Sequence, residues 1–160
     1  MDAETSAALR ELLHTQCVAA LATLHRGKPA TSMVPYALLP DGQGFIIHVS
    51  QLASHTADML DNPEVSLLVM APAGSAPTPQ ALSRVSVQGR AVPIPPSGPD
   101  HAQAHDRYLA RFPDSAPMFD FGDFSLFRIT VESARFVAGF GRAHSVLADA
   151  FARLLTGHPS

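Results

Sequence analysis

Three apolar stretches, Cys17–Leu24, Pro29–Leu39 and Phe45–Val49, are joined by links of only four and five residues, His25-Arg26-Gly27-Lys28 and Pro40-Asp41-Gly42-Gln43-Gly44. Links this short fold a strand back on its neighbour, whereas a parallel crossover needs a dozen residues or more. The first third of the chain is therefore committed to antiparallel hairpins, with glycine supplying the turn conformations. Pro35 cannot donate to a ladder, so the second run must lie at a sheet edge or carry a bulge.

The pattern continues down the chain. Val65–Ala71, Leu82–Val92, Phe124–Val131 and Ala134–Phe140 read as further strands, the last two as a hairpin around Glu132-Ser133. Leu82–Val92 alternates, which puts Arg84, Ser86 and Gln88 on one face, and Gly89 marks a bulge or a close backbone approach. Helical spacing predicts helices over 4–15, capped by Thr5 or Ser6, over 53–60, stopped by Asn62-Pro63, over 100–111, and over 145–155. Residues 72–79, 93–99 and 113–123 read as loops. Six or seven strands, mostly in hairpins with helices inserted between them, predict a mainly β (α+β) fold closed as an antiparallel barrel.

Apolar residues make up 46% of the 160 and charged ones 16%, enough for one domain with a substantial core. A net charge of −3 without a basic stripe gives no case for nucleic-acid binding. The low charge leaves room for an apolar surface that a partner subunit would cover. No run reaches the roughly 18 apolar residues of a membrane helix, and the acidic, amphipathic start is unlike a secretory signal, so the expected location is the cytoplasm. The single Cys17 excludes an internal disulfide and reads as a small core residue.

Chemistry concentrates where the strand ending at Val49 meets the helix after it. Ser50, Ser54, His55 and Thr56 carry hydrogen-bond donors beside the free N–H groups and positive dipole end of a helix start, which suits a phosphate. A helix capped by Ser50 or Ser54, with no ligand, is the other reading. His101 and His105 have the i,i+4 spacing of a metal pair, but no glutamate follows His101, so a solvated helix face is preferred and no metal site is assigned. Neither a nucleophile elbow nor a glycine-rich dinucleotide loop occurs.

The order of the segments Gly27–Tyr36, Ser50–Thr56, Asn62–Leu68, Val85–Ala91 and Arg135–Ala143 resembles the FMN-binding split barrel of the pyridoxamine 5′-phosphate oxidase-like superfamily. The stretch Gly139-Phe140-Gly141-Arg142-Ala143 resembles the haem-utilisation branch. The resemblance covers about residues 8–143, leaving 144–160 as a helical tail. It implies a homodimer with FMN in the subunit interface, the strand Thr31-Ser32-Met33-Val34-Pro35 along the flavin ring, and Val49 to Thr56 around the phosphate and ribityl chain. Where the vitamin-making oxidases carry an Arg-Lys pair, this chain has Ser54-His55. Arg84 is the residue expected to supply the missing positive charge, its planar fork suiting phosphate. The implied activity is FMN-dependent oxidoreduction of a small substrate, with no assigned catalytic residue beyond Arg142 as a candidate. The alternatives are haem binding or degradation, with His144 or His158 as iron ligand, and a non-catalytic flavin module; a deazaflavin or an empty cleft also stays open.

Overall fold

β1 (Val18–His25) and β2 (Lys28–Pro35) pair antiparallel from Val18 opposite Pro35 to His25 opposite Lys28. They are joined by Arg26 and Gly27, both at positive φ, 52° and 76°. Two central residues in that region make the mirror-image turn whose twist matches the flanking strands. The computed structural model describes residues 1–157. After β2 the chain breaks at Tyr36, so the expected second strand is divided into β2 and the two-residue β3 (Ala37–Leu38). β4 (Gly44–Ser50), α2 (Ser54–Asp61), β5 (Glu64–Met70) and β6 (Arg84–Ile94) follow, then α3 (His101–Arg111), β7 (Phe124–Val137), β8 (Ala143–Leu147) and α4 (Ala148–Thr156), with α1 (Ala3–Thr15) leading the chain.

All strands join one antiparallel sheet in the order β2-β1-β5-β6-β7-β4-β3, with β8 added to β7. This is the expected split-barrel type of fold. β2 is an edge strand, as Pro35 requires. Eight strands form where six or seven were expected, because β3 and β8 are short pieces that pattern alone does not isolate. Glu132-Ser133 does not turn the chain. Gln88 stands opposite Ser133 and Gly89 opposite Val131, so Glu132 is an extra residue in a continuous β7, a bulge with its side chain in solvent. The hairpin turn comes later, at 138–142.

Alternation along the strands sorts the core. Phe45, Ile47 and Val49 of β4 point into the main cluster with Leu21, Val87 and Phe136, while Ile46 points the other way, against Ala104 and Tyr108 of α3. β4 is therefore covered on both faces. α1 delivers Leu9, Leu12 and Leu13 to the main cluster, and α4 delivers Phe151. Asp2, not Thr5 or Ser6, caps α1; its carboxylate accepts from the Thr5 N–H at 2.7 Å and is held below the usual carboxylate range by that bond. Cys17 is exposed rather than in the core: it lies in the link between α1 and β1, before the strand and its inward positions Ala19, Leu21 and Thr23 begin.

Tyr36 locks α1 to the barrel. Its hydroxyl donates to the Leu13 carbonyl at 2.9 Å, its ring meets Phe45 edge-on at 5.2 Å, and burial raises its phenol well above the ordinary range. Tyr36→Phe leaves that carbonyl only the long bond from Arg111, at 3.5 Å, and lowers unfolding free energy by about 1 kcal/mol, read from the urea midpoint. An unchanged midpoint would show that water replaces the phenol.

Candidate functional site

The β4–α2 junction is built from side chains that bond to the protein itself. The Ser50 hydroxyl donates to Asp123 Oδ2 at 3.0 Å and accepts from the Leu52 N–H at 3.1 Å. Thr56 is buried, and its hydroxyl donates back to the Ser50 carbonyl at 2.6 Å. Val49 is a core residue, 3% exposed, so only its backbone could meet a ligand. Ala53 occupies the N-cap of α2 with no side-chain bond, so neither Ser50 nor Ser54 caps the helix, which begins one residue later than expected. No side-chain hydrogen bond among the described residues engages Ser54 or His55. Burial pushes the His55 imidazole below its ordinary value, with Asp58 pulling the other way, so His55 is not a fixed cation.

The proposed phosphate grip does not assemble within one chain. Arg84 stands opposite Val137 and Ser50 opposite Phe124, the two ends of β7. Thirteen positions of strand separate them, roughly 40 Å of extended chain. The Arg84 guanidinium instead donates to the Leu82 and Gln80 carbonyls at 2.9 and 3.2 Å. Along β2, Thr31 and Met33 face outward, Met33 being 62% exposed, while Val34 faces the core and Pro35 is half-buried. The Ser32 hydroxyl is buried and has no hydrogen-bond partner among the described residues. Arg142 reaches back to the Thr5 hydroxyl at 3.2 Å. His144, opposite Phe136 on β8, is half-buried near Asp2, and His158 lies outside the described residues.

One cluster was not singled out from sequence. Asp58, on the inward face of α2 and 6% exposed, accepts from the Thr23 hydroxyl at 2.9 Å and pairs with His25 Nδ1 at 2.6 Å. The bond to His25, with that to Thr23, holds the carboxyl below the usual carboxylate range. The His25 side chain is 48% exposed, so one ring edge is fixed by a buried acid and the other opens to solvent. The one signal in the sequence is an aspartate on the face of α2 that also carries Met59. Its partners lie 33 and 35 residues away, beyond the reach of pattern.

Two other groupings remain. A cavity of about 260 Å³ between α1 and α3 is lined by His14, Arg107 and Arg111. Arg111, however, is committed to the Leu13 and Gln16 carbonyls and lies 5.3 Å from the Tyr36 ring centre. His48 is buried flat on Phe119, ring centres 3.9 Å apart, with His101 and His105 beyond it. Those two rings stack at 6.2 Å instead of converging on a shared point.

Comparison with known proteins follows the same outline. The pyridoxamine 5′-phosphate oxidase family model matches residues 5–138. The non-canonical heme oxygenase HOZ, chloroplastic, of Arabidopsis thaliana is 40% identical over 119 residues, which is 74% of this chain and 35% of that protein. Heme oxygenase HutZ of Vibrio cholerae is 27% identical over 137 residues, 83% of this chain and 77% of that one. A heme binding protein from Mycobacterium smegmatis superposes with a TM-score of 0.82 at 29% identity, covering 95% of this chain and 61% of its own. The chain thus spans about a third of the Arabidopsis relative and three fifths of the mycobacterial structure. These relatives overturn the expectation of FMN: the ligand in their names is haem.

Proposed function

The chain belongs to the pyridoxamine 5′-phosphate oxidase family, and from that premise we propose that it binds haem and acts in haem degradation. The observation that carries this reading is the 40% identity over 119 residues to a protein named as a haem oxygenase. The fold alone would not decide the ligand, since one architecture hosts many chemistries.

The residues present fit an iron porphyrin. Iron takes an axial ligand from a neutral imidazole, and the described residues include seven of the chain's eight histidines. A porphyrin also needs apolar contact, and the outer face of β2, β1 and β5 offers Val18, Met33 and Met70, all more than 40% exposed. Haem itself supplies the electron-transfer and dioxygen chemistry when bound. The protein's part is to hold the iron, shield the ring faces and pair the carboxylates with cations. Arg84 and Arg135, on that same outer face of the sheet, are suited to the last task. The same uncovered apolar strip supports pairing with a second copy, as the resemblance implies. We read the core and the segment after it as one domain of this kind.

Ferric haem titrated into the purified chain is expected to give a saturable one-to-one complex with the intense band of a ligated porphyrin. Adding a reductant under air is expected to bleach that band as the macrocycle opens. A titration that never saturates would sink the reading, and a complex stable to reductant and oxygen would reduce it to haem binding alone. No helix among the described residues is long and apolar enough to cross a membrane.

A further inference from the structure

We propose that the groove between α1 and α3 binds a small phosphate monoester, gripped by Arg107 and Arg111 with His14 and Arg10 beside them. Each helix brings two of these residues at i,i+4 spacing, so each pair lies on one helix face. His14, Arg107 and Arg111 line the cavity of about 260 Å³ between the helices, and Ala37, Leu38 and Ala110 supply its apolar wall. The site uses none of the residues assigned to haem, so the two readings are independent.

Charge is the first argument. The chain carries a net charge of −3, yet no acid answers these cations. Glu11, Asp106 and Asp114 are their neighbours in sequence, and among the described residues none forms an ion pair with Arg10, Arg107 or Arg111. Asp106 meets His105 instead, at 3.1 Å. The His14 ring registers the imbalance. Burial first, then Arg111, Arg10 and Arg107, push its titration below the ordinary value, and no acid pulls it back. Like charges gathered in this way oppose one another, and a bound dianion removes the opposition.

The second argument is the setting of Arg111. Its Nη2 donates to the Leu13 and Gln16 carbonyls, and its guanidinium carbon lies 5.3 Å from the Tyr36 ring centre and 5.9 Å from that of Phe112. A fork held in place gives up little freedom when a ligand arrives. Its Nε–H is enclosed and has no acceptor among the described residues, and a charged donor shut away without a partner is costly. Arg111 alone suffices to tie α1 to α3. Arg107, one turn earlier and exposed, makes no ion pair among the described residues, and the tie does not require it. Two guanidinium forks a turn apart can meet the oxygens of one phosphate, while the apolar wall takes the group esterified to it.

Isothermal titration calorimetry of the full chain at fixed ionic strength tests the site, with phenyl phosphate and benzoate as probes. Phenyl phosphate is expected to bind one-to-one, saturably and more tightly than benzoate, and to move the His14 ring resonances in proton NMR along the same isotherm. Arg107→Gln is expected to keep the parent's melting temperature while weakening phenyl phosphate by about tenfold or more. Arg111→Lys, which keeps the charge and loses the fork, is expected to weaken it as well. Arg153→Gln removes the same charge from α4, outside the groove, and is expected to bind as the parent does. Heats that never saturate, benzoate binding as tightly as phenyl phosphate, or an equal loss in Arg153→Gln would overturn the assignment. Each of these outcomes leaves the haem titration unchanged.

Discussion

Gly44→Ala is expected to cost the fold about 3 kcal/mol or more, the largest effect of any single methyl in this chain. A Cβ built at Gly44 would lie 1.9 Å from the Ile129 carbonyl oxygen and 3.0 Å from its carbon. Both are backbone atoms of the neighbouring strand, so no side-chain rotation relieves the overlap. Relief requires β4 and β7 to separate where Gly44 stands opposite Thr130, and β7 is pinned on its other side too. There Gly89, at the bulge, approaches so closely that its Cβ would sit 2.4 Å from the Thr130 carbonyl oxygen. The two glycines thus press on consecutive carbonyls from opposite sides and let β4 and β6 crowd β7 between them. Urea unfolding of Gly44→Ala and Gly89→Ala measures the cost, with Gly122→Ala as the control, since a Cβ there meets nothing within 4 Å. A Gly44→Ala protein within 1 kcal/mol of its parent would show that the strand pairing yields more easily than close packing implies.

The second large effect depends on pH. His48 is buried among Phe119, Tyr108 and Phe124, and that burial, with His105 and then His101 disfavouring further positive charge, holds its imidazole down to about 4. In the unfolded chain it titrates near its ordinary 6.5. Between those values the unfolded state takes up a proton that the folded state refuses, so acid favours unfolding. The stability present above pH 6.5 is expected to fall as pH drops towards 4, by on the order of 2 to 3 kcal/mol from this group. His14 and His55 are also held below their ordinary value by burial and slope the curve the same way. The diagnostic is therefore the difference between parent and His48→Phe, which keeps the stack on Phe119 and removes the proton site. Asp2 and Asp58, both lowered from 3.8, make their loss below that window. Unfolding curves for the two proteins that stay parallel from pH 7 to 4 would refute the assignment.

The aromatic packing around His48 also takes in the histidine pair of α3, whose rings stack at 6.2 Å. An i,i+4 pair places two rings on one helix face, but what that face meets is decided by the element it packs against. Here it meets the aromatic residues after α3 and the outward side of β4, and the rings are spent in packing. Spacing alone carries no information about that partner.

The junction after Val49 teaches the same lesson. Ser50, Ser54, His55 and Thr56 are adjacent in sequence and read as one donor set, yet Ser50 and Thr56 are consumed by Asp123 and by the Ser50 carbonyl. Ser54 is left to the surface, His55 is half-buried without a side-chain partner, and Arg84 lies at the far end of β7. The family resemblance located the fold correctly and the cofactor incorrectly, because the split barrel constrains backbone and core while a ligand is chosen by a few side chains.

What the residues settle unaided is local. The links at 25–28 and 40–44 are too short for anything but antiparallel return, Pro35 cannot lie inside a sheet, Asn62-Pro63 must end a helix, and alternation assigns the faces of β6. Each follows from steric limits and hydrogen-bond supply within a few neighbouring residues. Tertiary structure alone decided that Glu132 bulges a strand, that Gly44 and Gly89 crowd the same pair of carbonyls, and that Thr23, His25 and Asp58 meet. Those outcomes join positions tens of residues apart, whose approach is fixed by sheet order and by helix packing on the barrel, and neither is written in the composition of any one segment.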